Sequence, residues 1–181
     1  MQLARKTIME RLGVPVPNDM NENLKTIPAD AHLQQHRGTF VTLKLHDNLR
    51  GCIGNIEARD SIDDSVKRNA GNAAFHDFRF RPLTKEELSE VEIEVSILTT
   101  PKELEYKDAN DLKAKLRPNI DGVIIQKGAA SATFLPQVWE QLPNVDLFLS
   151  HLCQKAGIGS TAWKTDKLIV HTYQVQYFEE H

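Results

Sequence analysis

Val91, Ile93, Val95 and Ile97 stand at every second position, with Glu92, Glu94 and Ser96 between them. A two-residue repeat puts the apolar set on one side of an extended strand, whereas a helix would scatter it around the axis. Such a strand buries one face and wets the other, which calls for a largely antiparallel sheet covered on one side. Glu92 and Glu94 then share the outer face. There they can serve as an acid and base pair or simply form the wet side of the sheet.

The rest of the chain supplies partners for this strand. Thr39 to Leu45 reads as a strand, His46-Asp47-Asn48 as a turn and Leu49 to Ile56 as a returning strand, giving a hairpin. Val123-Ile124-Ile125 and Thr133-Phe134-Leu135 flank Gly128-Ala129-Ala130 as a second hairpin, and Leu168 to Phe178 reads as one long final strand. Helical spacing links Ala4, Ile8 and Leu12, stopped by Gly13 and Pro15. It also links Ile62, Val66, Ala70 and Ala73 behind a variant capping box, Ser61 with Asp64. Thr84-Lys85-Glu86-Glu87 is a fuller capping box that opens a short helix ending before Val91. Asp111 to Leu116 forms a short helix halted by Pro118. Val145, Phe148, Leu149, Leu152 and Ala156 form another, ended by Gly157. Val14 to about Asp30, with three prolines and three asparagines, reads as an irregular connection. Hairpins separated by helices, without regular βαβ alternation, specify an α+β fold with a mixed, largely antiparallel sheet and packing helices.

A chain of 181 residues suits a single domain over residues 1–181, as one body or as a larger and a smaller lobe. It buries roughly 70% of its unfolded surface and needs no metal or disulfide staple. The net charge of -3 argues against a general nucleic-acid coat protein. Cys52 and Cys153 form no C-x-x-C pair and no secreted disulfide framework. Charges recur through the first eleven residues, so no signal-peptide core is expected there. No stretch approaches the ~20 apolar residues of a membrane span. The expected location is the cytoplasm, with both thiols reduced.

The chemistry concentrates in Leu49-Arg50-Gly51-Cys52-Ile53-Gly54. On a regular strand, Leu49 and Ile53 point to the core, and Arg50 and Cys52 share the other face about 7 Å apart. A guanidinium so placed favours thiolate over thiol and makes a better nucleophile. Gly51 and Gly54 remove bulk, so that a substrate or a second backbone can approach, and a bulge can re-aim the thiol. Against this stands the common role of a free cysteine as a small buried hydrophobe.

The hexapeptide resembles the signature of the AMMECR family, whose microbial members are called AmmeMemoRadiSam system protein A. The resemblance covers nearly the whole chain. It takes in Gly38-Thr39-Phe40-Val41-Thr42-Leu43, Arg68-Asn69-Ala70, Asp77-Phe78-Arg79-Phe80, Glu92-Ile93-Glu94-Val95-Ser96 and Phe134-Leu135-Pro136-Gln137-Val138-Trp139-Glu140-Gln141. It continues through His151-Leu152-Cys153-Gln154-Lys155-Ala156-Gly157 and Trp163. Phe78 departs from the pattern, since family members often carry proline there, which should alter the turn more than the site. The resemblance implies a two-lobed α+β fold with a cleft near the hexapeptide. It also implies a gene neighbourhood with a Memo-like protein and a radical SAM protein, and makes Cys52 a site residue without naming a reaction.

Other residues carry lesser signals. Asn69 can reach a cleft or bond a buried carbonyl. Arg79, with Arg68 and Arg81, can hold an anion or form a solvated basic face. Gln137 and Glu140 follow a strand near a helix start, where polar groups often line sites, while Trp139 and Cys153 read as core. His76 beside Asp77 resembles a base with its orienter. No H-E-x-x-H, paired C-x-x-C or P-loop is present. Two cysteines cannot hold an iron–sulfur cluster, so radical chemistry would belong to a partner. No metal or cofactor is expected.

The resulting expectation is a cysteine-dependent enzyme acting on a small substrate. Cys52 and Arg50 are its catalytic residues, and Gly51, Gly54, Asn69, Arg79 and Gln137 bind substrate. The alternative is a non-catalytic protein-interaction module or an RNA- or DNA-binding regulatory protein.

Overall fold

A computed structural model describes residues 1–26 and 32–180. The chain divides into two compact units, Met1–Leu98 with Gln176–His181, and Thr99–Val175.

The first unit holds α1 (Gln2–Leu12), α2 (Asn18–Thr26), β1 (Thr39–Leu45), β2 (Asn48–Asn55), α3 (Ile62–Phe75) and β3 (Val91–Leu98). Its sheet closes with β8 (Val175–Glu179), in the order β2-β1-β3-β8. β1 lies antiparallel between β2 and β3, with Val41 opposite both Ile53 and Val95. Val41, Leu43, Ile93 and Val95 form the buried face, covered by Ala4, Ile8 and Met9 of α1 and by Val66, Ala70 and Ala73 of α3. Each large apolar side chain buried here contributes roughly 1.5–3 kcal/mol. Gly13 ends α1 in the left-handed region (φ 65°). Ser61 caps α3, accepting from the Asp64 N–H at 3.1 Å. A side chain at Gly51 would overlap the Ala73 carbonyl oxygen, so α3 packs directly on the β2 backbone.

The second unit carries β4 (Lys102–Glu103), α4 (Ala109–Lys115), β5 (Gly122–Lys127), β6 (Ala130–Phe134), α5 (Val138–Gln141), α6 (Val145–Lys155), α7 (Ala162–Thr165) and β7 (Ile169–Tyr173). Its sheet runs β4-β7-β5-β6, with antiparallel pairs. Trp139 stacks on Phe148 at 3.6 Å between ring centroids and donates its indole N–H to the Asp121 carbonyl at 2.8 Å. Cys153 is fully buried in this core.

The fold is α+β, built on antiparallel sheets. Two expectations need correction. The stretch from Val14 to Asp30 is not wholly irregular, because Asn18–Thr26 forms α2. Pro17 precedes its first residue and accepts the Asn21 N–H. Residues 27–30 of that stretch lie outside the described residues. The supposed single final strand is two strands in different sheets. At the break, Gln174 exchanges bonds with Thr99, whose N–H it accepts and whose Oγ1 takes its own N–H. The apolar pattern runs on through residue 174, so periodicity gives no warning of the break. No helix among the described residues is long and apolar enough to cross a membrane.

Candidate functional site

The hairpin that carries the hexapeptide turns on His46 and Asp47, both in the left-handed region (φ 50° and 62°). Two such residues make a two-residue type I′ turn, pairing Leu45 with Asn48 and Lys44 with Leu49. Continued regularly, that register would set Cys52 opposite Val41, on the core face. Instead the ladder slips between Leu43 and Lys44, so that Leu43 faces Gly51 and Thr42 faces Cys52. Arg50 is the extra residue of a β-bulge.

The bulge overturns the expected side-chain parity at Leu49 and leaves Cys52 on the face away from the core, where it was expected. Leu49 pairs with Lys44 on the face away from the core and is 45% exposed, while Ile53 packs against the core as expected. Arg50 does not activate Cys52. Its Nε and Nη2 bind the Glu87 carboxylate at 2.8 and 3.0 Å, and Nη2 also reaches the Pro82 carbonyl at 3.4 Å. This ion pair holds the Glu87 carboxyl below its usual range. Glu87 also accepts the Thr84 N–H, one half of the expected capping box, at the head of a short 3-10 turn. Arg50 thus ties the segment after α3 to β2.

Cys52 is held by a different pair. Its N–H donates to Asp77 Oδ2 at 2.9 Å, and its carbonyl accepts from Arg79 Nη2 at 3.0 Å. Arg79 in turn grips Asp77 through Nε, Nη2 and its own backbone N–H. The Asp77 side chain is only 1% exposed, and its carboxyl lies well below the carboxylate range, chiefly through the Arg79 hydrogen bonds. β2 is an edge strand, and the pair covers the backbone groups that Cys52 would otherwise leave open. Because both groups point away from β1, Thr42 and Cys52 form a non-hydrogen-bonded pair, the arrangement that brings side chains closest. The Thr42 hydroxyl accordingly donates to Cys52 Sγ at 3.3 Å.

On the same face, Glu94 lies opposite Thr42 across β1 and β3. It is buried and bound by Lys44 at 3.1 Å and by the Ser96 hydroxyl at 3.3 Å, and Lys44 also reaches Glu179 at 3.0 Å. Glu94 is therefore not simply the wet side of the strand, although Glu92 is exposed. The Cys52 thiol is pushed up from its ordinary value, first by burial, then against the Thr42 hydrogen bond and the Arg79 charge, with Glu94 and Asp77 adding to the rise. This reverses the expected thiolate. The thiol rests protonated, and the cation nearest its chemistry is Arg79 rather than Arg50.

The remaining candidates separate. Asn69 is buried on the core side, where its amide donates to Thr39 O, Thr39 Oγ1 and Asn55 Oδ1, fastening α3 to β1 and β2. The space cleared by Gly51 is taken by the Ala73 backbone and that of Gly54 by the Phe40 ring, so neither opens towards a substrate. Gln137 belongs to the second unit, just before α5. Arg68 pairs with Asp60, which separates it from Arg79. His76 is exposed, and its neighbour Asp77 is engaged by Arg79 and Cys52. Phe78 is 95% exposed, so its departure alters the surface of the turn and not the clamp. Among the described residues, no three His, Cys, Asp or Glu side chains gather to hold a metal. Thr42 and Lys44 escaped sequence reasoning as site residues, and Asp77 entered it only as an orienter for His76. Hairpin counting points away from Thr42 because of the bulge, and only the tertiary fold brings Asp77 to β2.

A sequence model of the AMMECR1 family matches residues 1–178. The chain belongs to this family. Its relatives include Protein MK0488 of Methanopyrus kandleri, 35% identical over 188 residues, covering 99% of this chain and 86% of the relative. Protein NEQ441 of Nanoarchaeum equitans is 35% identical over 184 residues, covering 99% and 97%. Among solved structures, the uncharacterised protein PH0010 from Pyrococcus horikoshii superposes with a TM-score of 0.84 at 30% identity, covering 99% of this chain and 89% of that one. The AMMECR1 fold therefore extends over both units of the chain.

Proposed function

We propose that this AMMECR1-family protein is a cysteine-dependent enzyme acting on a small substrate at the Cys52 face of the first sheet. One observation carries the reading. A buried carboxylate and its guanidinium are devoted to fixing the peptide of a single half-buried cysteine, whose thiol sits beside a hydroxyl and a Lys44–Glu94 pair. Such support is what a preorganised reactive group requires. Cys52 is the nucleophile and rests as the thiol. Glu94, on the same face, takes its proton, and Arg79 stabilises the thiolate that forms. Family membership supports placing this activity in a system with a Memo-like protein and a radical SAM protein, the latter supplying any radical chemistry. The test is replacement of Cys52 by Ala and by Ser, followed by assay of the whole system's activity. Full function in both correctly folded variants overturns the proposal.

A second reading, a non-catalytic interaction module, is favoured by the two glycines whose space is filled from within the chain. Iodoacetamide labelling against pH separates the two. A titrating thiol with a midpoint above the ordinary ~8.5 supports the enzyme, and a thiol that never labels supports the module. A nucleic-acid version of the module requires binding that weakens steeply with salt. Arg68 and Arg79 are already paired with carboxylates, which leaves that version less support.

A further inference from the structure

Strand β3 serves two faces. Glu94 and Ser96 share the face of Cys52, while Val95 and Ile97 point the other way. On that far side the core of the first unit is not closed by the described residues. A cavity of about 950 Å³ opens among β3, α1, α2 and α3, walled by Leu3, Leu24, Leu33, Val66, Ile97 and Phe178. Its size is within the range of small-molecule pockets, roughly 300–1,000 Å³. Water in so apolar a space makes few hydrogen bonds, so an apolar occupant gains by displacing it.

The mouth decides the kind of occupant. Among the described residues its charged side chains are Lys6, Glu10, Asp63 and Lys67, and Met1 adds an α-amino group whose charged form burial disfavours. The side chains close as two ion pairs one helical turn apart, Lys6 with Glu10 at 3.6 Å and Lys67 with Asp63 at 2.5 Å. The charged side chains of the mouth therefore cancel, and an anionic ligand would have to break a pair to gain a side-chain cation. The Thr7 hydroxyl is turned back onto the Leu3 carbonyl of its own helix. Asn21 and Gln34 add uncharged polar groups to the wall. We propose that this cavity is a second binding site, on the opposite face of the sheet from Cys52, for an uncharged, largely hydrocarbon small molecule with at most a neutral hydroxyl or carbonyl end. Shape and burial hold the ligand. The site stands whether or not Cys52 is catalytic, because Cys52 is not among the residues that wall the cavity.

The test titrates the full chain with N-phenyl-1-naphthylamine, a neutral fluorescent probe, and with its anionic relative 1-anilinonaphthalene-8-sulfonate. The expected result is saturable binding of the neutral probe, at least tenfold tighter than the sulfonate. Val66→Trp, which fills the cavity, should weaken it at least tenfold, and Cys52→Ser should leave it unchanged. Methyl NMR of the unmodified protein provides a readout that does not depend on any variant folding. Shifts on adding the neutral probe should concentrate on Leu3, Leu24, Leu33 and Val66. Absence of saturable binding, equal binding of the sulfonate, an unaffected Val66→Trp, loss of binding in Cys52→Ser, or shifts centred elsewhere overturns the proposal.

Discussion

Replacing Asp77 by Asn tests whether the clamp on Cys52 is as structural as its geometry indicates. The substitution keeps the size of the side chain and removes its charge. Asp77 accepts four hydrogen bonds, one from the Cys52 N–H and three from Arg79. The Arg79 side chain is 43% exposed, so solvent compensates much of its loss and its share is small. The bond from the Cys52 N–H to a charged acceptor is worth roughly 1.5–3 kcal/mol. Breaking a fully buried pair, at roughly 3–5 kcal/mol, is the upper bound. The expected loss is therefore about 2 kcal/mol, and at about 2–4 °C per kcal/mol for a chain of this size Tm should fall by about 4–8 °C. The pH dependence has a definite sign. The folded carboxyl lies below its ordinary value of 3.8, so its stabilisation is present above that value and is lost as pH falls towards the folded one. Calorimetry at pH 7 should show the full deficit of Asp77→Asn, and at pH 3 a smaller one. The same variant should label faster with iodoacetamide at Cys52, because the edge of β2 is released. An unchanged Tm at pH 7, or a deficit that grows on acidification, refutes the reasoning.

Arg79→Ala should raise the midpoint of Cys52 labelling, since the Arg79 charge favours the thiolate, whereas Glu94→Gln should lower it by removing an opposing charge. Arg50→Ala should leave that midpoint unchanged while lowering Tm, because Arg50 is engaged by Glu87; a midpoint that moves upward would restore Arg50 as the activating group. Gly51→Ala must push α3 off β2 and should cost about 1–3 kcal/mol or more. Gly54→Ala meets the Phe40 ring and, at 2.5 Å, the Thr39 backbone carbonyl oxygen, and should likewise cost about 1–3 kcal/mol; thermal melts showing no loss would contradict the packing described. Trp139→Ala, in the second core, should cost about 3–5 kcal/mol in denaturant unfolding.

Much of the fold was legible in the chain. The alternation of Val91 to Ile97, the His46–Asp47 turn, the Ser61 cap and the Gly13 stop are local signals. Each is set by the geometry of a few neighbouring residues, and each stands where it was expected. The Gly51 approach to α3 also follows from local bulk, since only a residue without a side chain admits the Ala73 carbonyl. The site was legible as a place and not as a mechanism. The sequence by itself determined that a glycine-flanked cysteine lies on the second strand of a hairpin. The tertiary structure decided where the strand bulges, at Arg50, which sets Cys52 beside Thr42 and turns Leu49 out of the core. It also decided which charges surround the thiol. Arg50 lies two residues away and is claimed by Glu87, while Asp77 and Arg79, more than twenty residues along the chain, hold the Cys52 peptide. Register and charge partnership depend on contacts between distant segments, whereas caps, turns and alternation depend on neighbours, and that difference separates what was readable in this sequence from what had to be seen folded.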